Sequence, residues 1–535
     1  MKTKYLVSLF GLLLAACSAG TAADAAAAPA AAAPAAAAHA VPKSPGGQQS
    51  LVARGEYLAR AADCMSCHTQ SKDKPFAGGV GLKSAFGTIY GTNITSDKAT
   101  GIGSWTKADF VRALREGIRK DGSYLYPAMP YTSYTKISDA DMDALWAYIS
   151  KIPPVDNTIP KNTLPFPLTI RSGMAVWQAL YLKPGRFIAN RSKDAAWNRG
   201  AYLVEAFGHC SDCHTPRNLA QGPESAHLLT GAQIEGWYAP DIGADSSSSI
   251  AYWNVKELAK FLKTGSAPDN SKVFGPMQEV VHESLRYLSD ADLQAMAIYL
   301  KDQSTGATPV EASKAYLPRL QAGKLVYENN CASCHQSNGK GINSTVPALA
   351  KNDAVTAAEP YNVIMAMLEG FKPQGAWGAM GSFADALSDD QISDVANYIR
   401  TAWGNDAPAN ATPWSVGNWR KNAAVQATGP AAMLCPNLAD DVIAPALKDS
   451  PASLREAAGN GGKMASLVSS YRSSRPSASE AEVIEALSTA YCRVVTTQNI
   501  SQARMGADIA DFANRVAQVP MQGSGAQGAS PQPQT

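Results

Sequence analysis

A chain of 535 residues exceeds what one hydrophobic core usually serves, so three or four domains of ordinary size are expected. Charged residues make up 17%, and 47 Lys plus Arg against 45 Asp plus Glu leave a net charge of +2 with no long run of one sign, which excludes a nucleic-acid binder. Beyond the leader no apolar stretch approaches the roughly 18 residues a bilayer span needs, so the mature chain is expected to lack a transmembrane helix.

In chain order, Lys2 and Lys4 precede an apolar run from Tyr5 to Ala16, which has the form of a secretory signal. Leu14-Ala15-Ala16-Cys17 has the form of a lipobox, so residues 1–17 are read as a signal with Cys17 as the lipidated first residue of the mature protein. The alternative is cleavage further on, in the Ala-rich stretch from Ala22. Acyl chains at about 0.8 kcal/mol per buried CH₂ would hold the chain at a membrane. Residues 18–48 are Ala, Pro, Gly and small polar residues with nothing to build a core from, a tether reaching at most roughly 100 Å.

Six of the nine cysteines form Cys64-Met65-Ser66-Cys67-His68, Cys210-Ser211-Asp212-Cys213-His214 and Cys331-Ala332-Ser333-Cys334-His335. Two thiols three residues apart on a helical turn can each add to one vinyl group of the same porphyrin, while the adjacent imidazole faces the iron. Each motif therefore reads as a c-type haem attachment site, giving three covalently bound haem c groups. Structural zinc is the bland alternative, but no second Cys or His pair stands near any of the three. A thioredoxin-like redox pair would leave three following histidines unexplained.

The opposite face of each iron needs a ligand, and each repeat supplies a methionine on loop-like sequence. Met129 lies 61 residues after His68, Met277 lies 63 after His214, and Met380 lies 45 after His335. Met365 and Met367 compete with Met380 but sit on an apolar, helix-like stretch and read as core. The metal ligands are thus expected to be His68 with Met129, His214 with Met277, and His335 with Met380. Past each methionine, Ser138, Ser289 and Ser388 read as helix N-caps with acidic first turns, the last as a capping box. Ten residues beyond each serine stands a tyrosine, Tyr148, Tyr299 or Tyr398, on an apolar helix face that should pack on the helix leading into the cysteines. Gly55, Gly200 and Gly323 would permit close contact there. His282 is a weaker rival to Met277, His209 abuts Cys210 and is given no role, and His39 and His227 are expected to be solvated.

The fold class is therefore all-α: three tandem class I-like cytochrome c domains at 49–157, 194–306 and 307–406. A connector at 158–193 joins the first two; a C-terminal helical extension at 407–520 and a disordered tail at 521–535 follow. The connector mixes Trp177, Leu180, Tyr181 and Leu182 with Arg171, Lys183 and Arg186, and is read as interdomain packing or as a docking patch.

The segments Tyr90-Gly91-Thr92-Asn93-Ile94-Thr95-Ser96-Asp97, Gly101-Ile102-Gly103-Ser104-Trp105, Leu125-Tyr126-Pro127-Ala128-Met129-Pro130-Tyr131 and His214-Thr215-Pro216-Arg217-Asn218 resemble the triheme cytochrome c subunits of membrane-bound bacterial dehydrogenases. The resemblance runs from about Gly55 to Asn405. It implies a large dehydrogenase partner (quinoprotein, flavoprotein or molybdoprotein) that oxidises an alcohol, aldehyde or sugar acid, with electrons passed on to ubiquinone or a terminal oxidase. It also implies the periplasmic face of the inner membrane, whereas Ser18 after Cys17 would, by analogy with enteric lipoproteins, favour the outer membrane. The extension departs from the family pattern, which ends in an apolar tail. Its Cys435 and Cys492 lack a following His and are expected to pair in an oxidising periplasm, stabilising it by roughly 4 kcal/mol; free thiols are the alternative. Two rival functions remain from the sequence: a multihaem peroxidase, which needs an iron with an open position, and a free-standing relay with no dedicated dehydrogenase.

Overall fold

The computed structural model describes residues 50–84, 86–234, 236–243, 249–268, 270–303, 317–341, 346–371, 380–421, 451–478 and 480–495, with short pieces at 445–446 and between 508 and 520. The signal, Cys17, the tether, Cys435 and the tail lie outside the described residues. No helix among those described is long and apolar enough to cross a membrane.

One helix pair recurs three times. The entry helices Leu51–Ala61, Ala195–Tyr202 and Leu317–Asn330 lead into the cysteine motifs, and the closing helices Asp139–Ile149, Asp290–Lys301 and Asp389–Thr401 pack across them. The closing helices begin where the serines predict: the hydroxyls of Ser138, Ser289 and Ser388 accept from the backbone N–H of Asp141, Asp292 and Gln391, each at 3.2 Å. Those bonds satisfy N–H groups that have no intrahelical partner, and acidic side chains in the first turn meet the positive end of the helix dipole.

Within each pair the backbones touch at the expected glycine. A Cβ on Gly55 would lie 1.9 Å from the Ala144 carbonyl oxygen, one on Gly200 1.9 Å from that of Ala295, and one on Gly323 2.1 Å from that of Asp394. The same glycines face Tyr148, Tyr299 and Tyr398. A salt bridge ties each crossing: Arg54 Nε donates to Asp141 at 2.7 Å, Arg199 grips Asp292 through two 2.8 Å bonds, and Arg319 meets Asp394 at 2.5 Å. Gly55 stands nine positions before Cys64 and Gly200 ten before Cys210. The extra residue is absorbed by a π-helical turn at Leu203–Phe207.

Two antiparallel hairpins break the all-α pattern, with Gly81 opposite Tyr90 in the first and Ala232 opposite Ala239 in the second. Their strands are four and three residues long, too short for alternation to show in the sequence. Asn162 and Thr163 of the connector bond to Tyr90 and Thr88 of the first hairpin. The second hairpin is met instead by the third repeat, where Asn362 exchanges two 2.8 Å bonds with Tyr238.

The first two repeats share one continuous core, the third builds a second that also takes in Trp237 and Phe274 of the second repeat, and the extension has its own. Reciprocal tyrosines join the first two. Tyr57 donates to Asp292 at 2.5 Å and accepts from the Ser289 N–H at 3.1 Å; Tyr202 donates to Asp141 at 2.7 Å and accepts from the Ser138 N–H at 3.0 Å. Each entry helix thus caps the other repeat's closing helix. At the corresponding place, two residues past Gly323, stands Leu325, which is 60% exposed. In the extension, helix Glu480–Val495 rests against the turn Ala332–His335, and Cys492 is disulfide-bonded.

The helix crossings and the tyrosine bridges can each be tested by substitution. Gly200→Ala should destabilise the chain by about 3 kcal/mol through overpacking at the crossing, whereas Gly173→Ala, with nothing within 4 Å of the added methyl, should be neutral or mildly stabilising in denaturant titrations. Tyr57→Phe and Tyr202→Phe each remove a hydrogen bond to a buried carboxylate and should each lower stability by about 1.5–3 kcal/mol in the same titrations.

Candidate cofactor-attachment site

Each cysteine motif folds as one helical turn: Cys64–His68, Ser211–His214 following Cys210, and Ala332–His335 following Cys331. A helical turn places residues i and i+3 on one side, so both thiols of a motif share a face. None of these six cysteines is in a disulfide, and burial pushes the thiols of Cys64, Cys210 and Cys331 up to about 12.

The three histidines share a second partner of one kind. Nδ1 of His68 lies 2.6 Å from the Thr92 carbonyl oxygen, that of His214 2.6 Å from Pro240, and that of His335 3.1 Å from Pro347. A carbonyl only accepts, so Nδ1 carries the proton and Nε2 keeps its lone pair. Burial holds all three imidazoles below the usual histidine range, His335 at about 4, which keeps them neutral. A neutral imidazole oriented by a backbone carbonyl is the form in which histidine binds a metal.

The two hairpins serve this orientation. Pro240 follows its second strand directly and Thr92 follows one residue later, after Gly91, so each hairpin delivers the carbonyl to its histidine. Gly91 makes the approach possible, since a Cβ there would lie 1.8 Å from the Cys67 carbonyl oxygen. Gly78, Gly231 and Gly341 each donate a backbone N–H to the carbonyl of His68, His214 and His335.

Met129, Met277 and Met380 are half-buried against the core of their repeat. Met129 closes a turn on Tyr126, Met277 is the second residue of helix Pro276–Glu279 after Gly275 at φ +56°, and Met380 pairs with Phe371 through two backbone bonds of 2.8 and 3.0 Å. Met365 and Met367 are buried on helix Tyr361–Glu369, as core residues should be. His282 is tied within its own turn to the Gln278 carbonyl at 2.9 Å, and His227 is exposed. His39 lies outside the described residues. Among the described residues no three His, Cys, Asp or Glu side chains converge as a zinc site requires.

His209, to which the sequence assigns no role, sits between the first two motifs. Its ring stacks edge-on against Tyr134 at 5.9 Å and hydrogen-bonds the backbone of Ala62, whose carbonyl also accepts from the Tyr134 hydroxyl at 2.7 Å. Ala62 and His209 precede Cys64 and Cys210, so the two attachment turns are joined through one carbonyl. No sequence signal marks this beyond adjacency to Cys210. Beside it Asp63 is buried, at φ +50°, and accepts from Ser66 Oγ at 2.6 Å. Burial, with Glu279 and Glu283 nearby, pushes its carboxyl up to about 8 against the opposing Ser66 bond.

The cytochrome c family matches residues 52–153 and 320–403, taking in the first and third repeats. With the thiol pairs and oriented imidazoles, that match defines a c-type cytochrome, a protein that carries covalently bound haem c. The chain is 39% identical over 403 residues to the gluconate 2-dehydrogenase cytochrome c subunit of Pantoea cypripedii, covering 71% of this chain and 91% of that one. It is 37% identical over 397 residues to the fructose dehydrogenase cytochrome subunit of Gluconobacter japonicus, covering 68% and 82%. It is also 37% identical over 407 residues to the cytochrome c subunit of the quinone alcohol dehydrogenase of Gluconobacter oxydans (strain 621H), covering 71% and 84%. This chain belongs to the family of dehydrogenase cytochrome c subunits.

The elevated Asp63 carboxyl has a definite sign. Its folded value, about 8, lies above the unfolded one near 3.8, so folding favours the protonated form and stability declines as pH rises between the two. Asp63→Asn removes that penalty. Its gain in Tm over the natural chain should widen from pH 5 to pH 8 and level off above, as read by calorimetry.

Proposed function

We propose that this chain is the electron-transfer subunit of a dehydrogenase complex: three tandem cytochrome c domains at 49–157, 194–306 and 307–406, each holding one haem c. Cys64 with Cys67, Cys210 with Cys213, and Cys331 with Cys334 would form the thioethers; His68 with Met129, His214 with Met277, and His335 with Met380 would hold the irons. Bound in this way, haem c would supply a one-electron couple, its potential raised by methionine ligation relative to two imidazoles. The observation that carries the reading is the threefold Nδ1-to-carbonyl bond, which aims a neutral Nε2 from each of three thiol-bearing turns. The chain's part is to fix those imidazoles, to offer a sulfur opposite, and to hold the sites against one another.

The relatives are cytochrome subunits of dehydrogenases for gluconate, fructose and alcohol, which supports a partner that oxidises an alcohol, aldehyde or sugar acid and delivers electrons here. We assign the acceptor as ubiquinone or a terminal oxidase at the periplasmic face of the inner membrane, with an acyl group on Cys17 as the anchor. Cys435 is the proposed disulfide partner of Cys492. A methionine for each iron disfavours a peroxidase, which needs an open position.

Three haems make a countable prediction. The purified mature protein should carry a mass increment of three haem groups that survives acid–acetone extraction, and its oxidised form should show the methionine-to-iron charge-transfer band without peroxide turnover. Replacing Met129, Met277 or Met380 one at a time by Ala should remove about one third of that band with all three haems retained. Two haems, or a band unmoved by all three replacements, would overturn the assignment.

A further inference from the structure

The connector satisfies its packing role with one face only. Trp177 is buried against Tyr131 and Tyr181, its indole N–H donating to the Ala220 carbonyl at 2.9 Å, and Gln178 reaches the Gly117 carbonyl at 3.3 Å. The opposite face of helix Met174–Tyr181 carries Val176 and Leu180, one turn apart and 67% and 65% exposed. Leu219, fully exposed, is held beside them: Asn218 bonds the Tyr181 hydroxyl at 3.0 Å and Ala220 bonds Trp177. Ahead of the helix, Phe166 and Ile170 are 80% and 49% exposed, in a turn fixed by the Tyr126 hydroxyl on the Leu168 carbonyl.

The connector's own charge is one-sided. Between Asp156 and Asp194 the chain has six Lys or Arg and no carboxylate, in a protein whose charges otherwise nearly cancel. Arg186 and Lys193 pair with Asp139 and Asp302, Arg171 lies over the Tyr126 ring, and Arg191 is engaged as well; the remaining two, Lys161 and Lys183, are exposed on either side of the apolar cluster in sequence.

We propose that this face is a membrane-contact surface that seats the chain on an anionic lipid bilayer. The apolar side chains enter the headgroup boundary and the lysines meet lipid phosphates, the division found in helices that lie in the interface plane. Lysine decides between lipid and protein as the occupant. It is depleted from the cores of protein interfaces and enriched on bilayer-facing segments. The surface is separate from the proposed lipid on Cys17, and its failure would leave the haem assignment standing, since that is read from mass and spectrum.

The test uses the haem-loaded mature chain from residue 18 onward, exported behind a non-lipoprotein signal so that no acyl group contributes. It should co-sediment with phosphatidylglycerol–phosphatidylethanolamine vesicles and much less with neutral phosphatidylcholine. Val176→Glu with Leu180→Glu should lower partitioning at least tenfold with the haem spectrum and Tm unchanged. Lys161→Glu with Lys183→Glu should remove the preference for anionic vesicles. Absence of vesicle binding by the unsubstituted chain, or equal binding by the Val176→Glu, Leu180→Glu variant, would overturn the proposal. So would that variant keeping its vesicle binding but no longer co-purifying with the dehydrogenase, which would assign the face to a protein partner.

Discussion

The architecture depends on the contact between the backbone of an entry helix and that of a closing helix at one glycine. Where Gly55, Gly200 and Gly323 cross, a side chain of any size would meet a carbonyl oxygen. That closeness lets Arg54, Arg199 and Arg319 reach an aspartate on the facing helix. Two of those aspartates, Asp141 and Asp292, are almost completely buried, where an unpaired charge would be strongly destabilising and a paired, hydrogen-bonded one is tolerated. The crossing also sets where the entry helix ends, and so the direction in which the following thiols and imidazole face.

Once the buried aspartates are in place, a second constraint arises from their remaining lone pairs. Asp141 and Asp292 each accept from a tyrosine of the other repeat, and those hydroxyls in turn satisfy the first backbone N–H of the facing closing helix. The pairing is mutual, so neither repeat completes its own helix start without its neighbour. Leu325 offers no hydroxyl, and the third repeat is joined by other means: Trp237 and Phe274 of the second repeat stack near Phe371 of the third, at 6.1 and 5.5 Å. One repeated sequence plan therefore yields an interlocked pair and a third member joined differently, with Leu325 at the position that Tyr57 and Tyr202 hold in the others.

Much of this is legible in the amino-acid sequence. The cysteine motifs, the capping serines, the glycines and the tyrosines ten residues past each cap are local signals, tied to positions by covalent geometry or by unsatisfied N–H groups, and each lies where its spacing places it. What the sequence does not reveal is non-local. The hairpins that carry Thr92 and Pro240 to the histidines consist of strands too short for a period to register. His209 gives no signal of its own because its meaning depends on Ala62, in a different repeat. Arg400 reads in sequence as an ordinary charged end of a helix, yet it is fully buried and donates to the carbonyls of Val355, Ala357 and Pro408, an arrangement visible only after the chain has folded around it. The connector's mixed composition fits packing and docking alike; its buried face does pack, and that packing is what leaves Val176 and Leu180 outward.

The second repeat occupies the middle of the chain in contact as well as in sequence. Toward the first repeat it presents His209, next to its own attachment turn, bonded to the residue that precedes Asp63 and Cys64. Toward the third it presents Trp237, on the hairpin that carries Pro240, and Phe274, three residues before Met277. The first and third repeats thus meet it through different residues, one beside the Cys210 turn and one at the second hairpin and Phe274. On the proposed reading, the second repeat would link the other two. In the extension, helix Glu480–Val495 lies against the attachment turn of the third repeat, and the connector lies along the hairpin of the first.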